Sequence, residues 1–440
     1  MKNKSFSNIQ FEFEDFDENE KIKKFDIKDD EIKDADHYID FSYKSIFQKS
    51  EIKFNNFLNE KLDTRQINKK PKIVTPYIGI STYTSFILDK PKNKLFLFGE
   101  NYFNKINTIT NDIISENNLN FSKIKKFCFG RIHCLLLFEN NDLYSCGMVN
   151  NSACGFSKKN GIWEIKTPKK IEFFKNKKIK DIWCSRRCSY VQLDNNKFYS
   201  FGDNSYGQLG IGKKEYDNDE ICNIKFFNDK LIKDVFISND GGYCFFLDYD
   251  NKVYGFDDNN YNVLGIFENE NHVSEPTKIK SLENIKIKKI FPGAHHVFVL
   301  DENGSLFTFG DNDRGACGLG HDKKITRIEE VDFFKKHGEE IILISQGYYF
   351  TIFLTKSSKV YCCGSNYHGQ LGLGKIKKVI EIKENEFFKD KNIIDIKSCF
   401  SSTLLLSKNG TIYGFGMNEY GQLGYEKYED QPIPVQIYKI

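Results

Sequence analysis

The stretch "GDNSYGQLG", residues 202–210, places three glycines in nine positions directly after the apolar and aromatic run "KFYSF". Backbone freedom of this kind raises the question of a phosphate cradle. The chain even continues as "GQLGIGKK" at 207–214, and a near copy, "GQLGLGKI", stands at 369–376. Both lack the Ser or Thr that would follow the Lys and hold a magnesium ion, and no strand–loop–helix context surrounds either of them. The recurrence is the informative feature. The same pattern returns as "CGMVNNSACG" (146–155), "FGDNSYGQLG" (201–210), "FDDNNYNVLG" (256–265), "FGDNDRGACG" (309–318), "CGSNYHGQLG" (363–372) and "FGMNEYGQLG" (415–424), with an incomplete copy, "FGENYF", from Phe98.

The first glycines of these copies are Gly99, Gly147, Gly202, Gly310, Gly364 and Gly416, with Asp257 in the fourth place, and successive copies lie 48, 55, 55, 53, 54 and 52 residues apart. A near-fixed period of this length marks a propeller or array. Each period holds an apolar strand pair around a polar turn, as in "YVQLDNNKFYSFG" and "VFVLDENGSLFTFG", the pattern of a β-hairpin. Upstream lies an I-x-x-I run leading into G-x-x-H, and downstream a short strand such as "TPKKI" or "PVQI". Four short strands per unit is the content of one propeller blade. The repeat glycines then have a structural purpose, since they allow positive φ and close approach of neighbouring backbones. The expected fold is all-β: a seven-bladed β-propeller of about 50-residue repeats over residues 71–440. The chain ends just after "QPIPVQI", so the ring is expected to close by pairing of the N- and C-terminal strands, which would remove two sheet edges.

These motifs resemble the regulator of chromosome condensation repeat family over roughly residues 73–440. The resemblance implies seven-bladed propellers with diverse roles: exchange on the Ran GTPase, ultraviolet-B reception in plants, and adaptor or scaffold duty. In the Ran-directed members, the two x residues of the G-x-x-H loops build the face that meets the GTPase, and some are carboxylates. Here the seven pairs are Tyr83-Thr84, Arg131-Ile132, Arg186-Arg187, Gly241-Gly242, Ala294-His295, Tyr348-Tyr349 and Phe400-Ser401, none of them acidic. Ultraviolet reception needs clustered tryptophans, and this chain has only Trp163 and Trp183.

Three of only six arginines, Arg131, Arg186 and Arg187, fall in consecutive loops. With His295, Tyr348 and Tyr349 they are the candidate partner-binding residues, suited to an acidic protein segment, because guanidinium grips carboxylate bidentately. His133 and His296 share a repeat position held elsewhere by Ser85, Cys188, Tyr243, Phe350 and Ser402, which reads as a structural slot. No catalytic constellation, metal-ligand set or cofactor motif is found. Cys184 and Cys188 form a lone C-x-x-x-C without a second ligand pair. Many of the twelve cysteines replace apolar residues of sister repeats, which suits reduced core thiols in an intracellular compartment, cytoplasmic or nuclear.

Residues 1–70 do not repeat. They are acidic over 1–40, with 13 acids against 7 lysines, then basic, and are expected to form a largely disordered extension. No run long enough to span a membrane is present, and the dispersed lysines give no support for nucleic-acid binding. The expected working unit is a monomer acting as a non-enzymatic interaction platform. The alternative is guanine-nucleotide exchange on a Ran-like small GTPase.

Overall fold

The computed structural model describes residues 77–440 except 81–83, 90–93, 100–118 and the loop positions 132, 150–151, 158–160, 162, 216–218, 239, 268–270, 426 and 440. The expected extension over 1–70 therefore lies outside the described residues.

The architecture is an all-β propeller of consecutive antiparallel sheets. Six are complete four-stranded blades, each one continuous stretch of chain. Blade one is Ile124–Phe129, His133–Phe138, Leu143–Met148 and Glu164–Lys170. Blades two to six open on the strands Ile179–Cys184, Ile232–Ile237, Ile287–Pro292, Ile341–Gln346 and Ile393–Cys399. The second strand of a blade is buried on both faces, as in His296–Asp301 and Phe350–Thr355, where every residue is buried. That explains its unbroken apolar runs, since each blade is covered on both sides by its neighbours. The packing between blades is aromatic: Phe198 meets Phe246 edge-on at 5.3 Å and Phe227 stacks on Phe246 at 4.3 Å.

Hairpin asparagines fasten the outer ends of the blades. Asn141 adopts φ 70° and Asn251 φ 64°, conformations that Asn tolerates well. Each then clasps the next blade: Asn141 accepts from the Ile179 N–H at 2.9 Å, and Asn251 from the Ile287 N–H at 2.9 Å.

Two expectations are corrected. Instead of seven four-stranded blades the described residues form six, preceded by a three-stranded sheet, Tyr77–Ile80, Thr84–Asp89 and Lys94–Gly99. Among the described residues the terminal strands also do not pair. The last strand, Gln431–Lys439, pairs with Thr411–Gly416 of its own blade, and Tyr77–Ile80 pairs with Thr84–Asp89. The physical reason is the position of the unit boundary. The I-x-x-I strand begins a blade, so the last unit is complete at its own fourth strand. The three-stranded sheet is instead held by side chains. Ile78, Ile80 and Ile87 pack in one cluster with Leu404, Leu406 and Ile412 of blade six, and Phe86 stacks on Phe129 of blade one at 4.2 Å.

Candidate functional site

The candidate face is built by the loops joining first and second strands. In blades one, two, four and five the loop closes within four residues: Gly130 N–H donates to His133 O at 2.9 Å, Ser185 to Cys188 at 2.8 Å, Gly293 to His296 at 3.0 Å and Gly347 to Phe350 at 3.1 Å. Glycine suits the first position because the next blade's backbone passes over it. A Cβ on Gly130 would lie 2.3 Å from the Ser185 carbonyl oxygen.

In blades one, three and four the residue ending the loop reaches toward the following blade. His133 Nε2 meets Ser189 Oγ at 2.8 Å, His296 Nε2 meets Thr351 Oγ1 at 2.7 Å, and the Tyr243 hydroxyl donates to Gly293 O at 2.8 Å. Burial pushes the His296 imidazole down to about 3, so it is neutral at any physiological pH. Opposite this slot stands the repeat glycine, at φ 104° in Gly310, where a Cβ would come within 2.6 Å of the His295 carbonyl oxygen. Gly147, Gly202, Gly364 and Gly416 share the positive φ. Gly99 pairs with Thr84 in the three-stranded sheet. Asp257 takes this position in blade three at φ 90°, with its carboxyl buried beside Gly242. Burial raises its pKa well above the usual carboxylate range, with Asp258 and Asp203 adding to the effect and Arg186 opposing it.

Blade three departs from the others. Its loop closes from Ser238 N–H to Tyr243 O at 3.0 Å, so it holds two additional residues, one of them acidic. The Asp240 carboxylate accepts from the Cys399 thiol of blade six at 2.8 Å, across 159 residues of sequence. The loop pairs read from sequence contained no carboxylate because the fourth one was counted back from Tyr243 and stopped at Gly241. The signal was available: Ile232 to Tyr243 spans eleven positions, where Ile287 to His296 spans nine.

Around Asp240 an aromatic run crosses the face. Tyr261 stacks on His295 at 4.4 Å, His295 lies 4.9 Å from Tyr348, and Tyr348 meets Phe400 edge-on at 4.8 Å. Burial lowers His295 to about 4, Asp240 opposing and Arg186 adding to the shift. Burial and Asp240 raise the Tyr348 hydroxyl, while Arg186 and Arg131 pull it down. Arg131, Arg186, Asp240, His295 and Tyr348 therefore share one electrostatic neighbourhood, and the Arg131 N–H donates to Arg186 O at 3.0 Å.

One candidate lies apart from that group: Arg187 turns to Asp203 at 3.6 Å. Tyr349 borders it, meeting the His295 ring edge-on at 5.4 Å. The mouth opens over an axial cavity of about 340 Å³ lined by Asp240, Lys289, Phe291, Gln346, Ser345 and Lys397, among others. Among the described residues, no group of three or more His, Cys, Asp or Glu side chains is arranged to hold a metal ion, and no helix is long and apolar enough to cross a membrane.

The regulator of chromosome condensation (RCC1) repeat profile matches residues 250–300, 303–354 and 409–439, and a second profile of the same repeat matches 341–370. In these stretches the chain matches the regulator of chromosome condensation repeat. Among its relatives, the ultraviolet-B receptor UVR8 of Arabidopsis thaliana is 28% identical over 239 residues, covering 54% of this chain and 53% of the receptor. The probable E3 ubiquitin-protein ligase HERC4 of Homo sapiens is 27% identical over 274 residues, 62% of this chain and 25% of the ligase. The chain thus spans about half of the first relative and a quarter of the second. Among solved structures, Prp20p of Saccharomyces cerevisiae, described with its binding properties to Gsp1p and histones, superposes with a TM-score of 0.62 at 18% identity, over 75% of this chain and 79% of that one. Human WBSCR16 does so with a TM-score of 0.59 at 20% identity, over 72% and 82%. At these identities the likeness concerns the fold.

Proposed function

We propose that this repeat propeller is a non-enzymatic platform for a protein partner, and that its docking face is the channel mouth formed by the loops at 130–133, 185–188, 238–243, 293–296, 347–350 and 399–402. The observation that carries this reading is the convergence of Arg131, Arg186 and Asp240 on the aromatic run Tyr261–His295–Tyr348–Phe400. Tyrosine and arginine are the residues that most often dominate binding energy at interfaces, and a mixed-charge floor selects orientation. The partner that fits is a protein segment presenting a carboxylate to Arg131 and Arg186. The test is affinity capture with the intact chain and with an Arg131→Glu, Arg186→Glu variant. Partners held by the intact chain and lost by the variant support the reading; equal capture by both overturns it.

A second reading, nucleotide exchange on a Ran-like GTPase, is favoured by one feature, the loop carboxylate Asp240. Release of labelled GDP from Ran decides between the two. No acceleration is expected. Acceleration that Asp240→Asn abolishes would replace the first reading with the second.

The three-stranded sheet takes the place of a seventh blade in this proposal, since its isoleucines pack on blade six and Phe86 on blade one. Ile87→Asp should then lower stability more than the same change at exposed Ile433; equal melting would argue against closure through this sheet. We take residues 1–70 as an N-terminal extension and the single chain as the working unit. Twelve cysteines, none of them in a disulfide, suit a reducing compartment inside the cell.

A further inference from the structure

Blades one and two carry an unusual density of thiols. Cys128 sits on the innermost strand of blade one and Cys184 on that of blade two, and their sulfurs are 2.8 Å apart across the boundary between the blades. A second close pair, Cys134 and Cys146, lies within blade one at 3.0 Å, on residues directly opposed in the second and third strands. The two pairs differ in access. Cys134 and Cys146 are fully buried. Cys128 is half-buried, and its register position is that of Phe236, Phe291, Ser345 and Lys397, all of which line the axial cavity. Cys184 is buried, so an oxidant reaches Cys128 first. The Lys126 ammonium, two residues earlier on the same strand, pairs with Asp181 of blade two and lies 4.9 Å from the Trp183 ring.

We propose that Cys128 and Cys184 are a site of reversible oxidation, forming a disulfide that staples blade one to blade two when the chain meets a hydroperoxide. The Cys128 thiolate attacks the peroxide oxygen, the O–O bond breaks, and the leaving alkoxide or hydroxide departs as an alcohol or water after taking up a proton. Cys128 is then a sulfenic acid. The Cys184 sulfur attacks it, the S–O bond breaks, water leaves with the Cys184 proton, and the S–S bond closes. Two thiols lose two electrons and the peroxide gains them. Cys184 is suited only to this second step. It is buried, and burial together with the hydrogen bond to Cys128 pushes its pKa well above that of a free thiol. The link would join positions 56 residues apart, three residues before Arg131 and two before Arg186, so it would fix the two loops that carry those arginines. This site is independent of the docking proposal, because it rests on thiol proximity and access alone.

The experiment is treatment of the intact chain with hydrogen peroxide near neutral pH, alkylation of remaining free thiols, and peptide mass spectrometry. One cross-linked pair, Cys128 to Cys184, is expected, with Cys134 and Cys146 recovered alkylated. Dithiothreitol should reverse the link. Melting temperature should rise by about 5 °C on oxidation, as closing a long loop predicts. Cys128→Ser is a change at a half-buried position, and its fold can be checked by circular dichroism. It should abolish both the link and the shift. Recovery of Cys128 and Cys184 as free thiols from oxidised, folded protein overturns the proposal. So does over-oxidation of Cys128 to a sulfinic acid without cross-linking, or earlier linkage of Cys134 to Cys146.

Discussion

The loops 238–243 and 293–296 hold equivalent places in neighbouring blades and close with the same 3.0 Å backbone hydrogen bond. They touch one another, since Gly293 O, the start of the second, accepts from the Tyr243 hydroxyl that ends the first. Yet one presents a carboxylate, Asp240, and the other a neutral imidazole, His295. The difference teaches how this fold separates tasks. The closing residue, Tyr243 or His296, locks one blade to the next. The residues inside the loop are released from packing duty and set the chemistry of the mouth.

That division is most directly broken at His296. It is fully buried and bonded to Thr351, whose hydroxyl also donates to the Ala316 carbonyl oxygen, so His296→Ala leaves a cavity and removes one of two bonds to that hydroxyl, and should cost about 3 kcal/mol of stability. Tyr243→Phe keeps the ring and loses only the bond to Gly293, and should cost about 1 kcal/mol. Chemical denaturation of both variants checks the ranking. Equal losses would mean that the slot is filled by volume alone.

The same buried imidazole gives a pH dependence with a definite sign. His296 titrates near 3 in the folded chain against 6.5 ordinarily. Between those values the unfolded chain binds a proton that the folded chain refuses. The stabilisation is therefore complete above the ordinary value and is lost progressively as pH falls toward the folded one. At about pH 5 the loss from this residue should be ~2 kcal/mol. Melting curves from neutral pH down to about pH 5 should steepen for the native chain relative to His296→Gln, and parallel curves would remove His296 as the cause. The Asp240 loop has no such slot histidine, because Tyr243 stays neutral throughout that range.

The repeat, the strand content and the glycine positions were legible in the sequence because they obey a period that sterics enforce: a Cβ at Gly202 would lie 2.4 Å from the Arg187 carbonyl oxygen. The closure was misread because an I-x-x-I run carries no mark of whether it starts or ends a sheet. Within the site, Arg131, Arg186, His295 and Tyr348 were found as loop residues. Asp240 was missed because its insertion hides behind Gly241 and Gly242, while Tyr261 joins the mouth only through three-dimensional packing. The arginine triplet was read as one cluster because sequence adjacency cannot say which way Arg186 and Arg187 point.

Separating those two arginines sharpens the comparison at smaller effect. Arg186 lies within electrostatic reach of His295, Tyr348 and Asp257, so Arg186→Glu should weaken the captured partner by about 1 kcal/mol or more, with the loss shrinking as salt rises. Calorimetry at two salt concentrations reads this directly, and an unchanged affinity would move the docking site away from the mouth.

Arg187 should give the smallest effect of the set. Its guanidinium is 45% exposed and stands 3.6 Å from Asp203, a long contact that solvent screens. Asp203 itself is buried, but its Oδ1 already accepts from the Ser205 N–H at 3.0 Å and from the Ser205 hydroxyl at 2.5 Å. Removing the arginine therefore strands no bare carboxylate. Arg187→Ala should cost no more than about 0.5 kcal/mol of stability, in the range of surface ion pairs, and should change partner affinity less than about threefold, which is the same energy expressed as binding. Alanine is the useful probe here, because a glutamate beside Asp203 would add a repulsion unrelated to docking. If Arg187→Ala weakens the partner as much as Arg186→Glu does, the docking face extends outward from the channel mouth to the rim, and the inner group around Asp240 and Tyr348 loses its claim to be the centre.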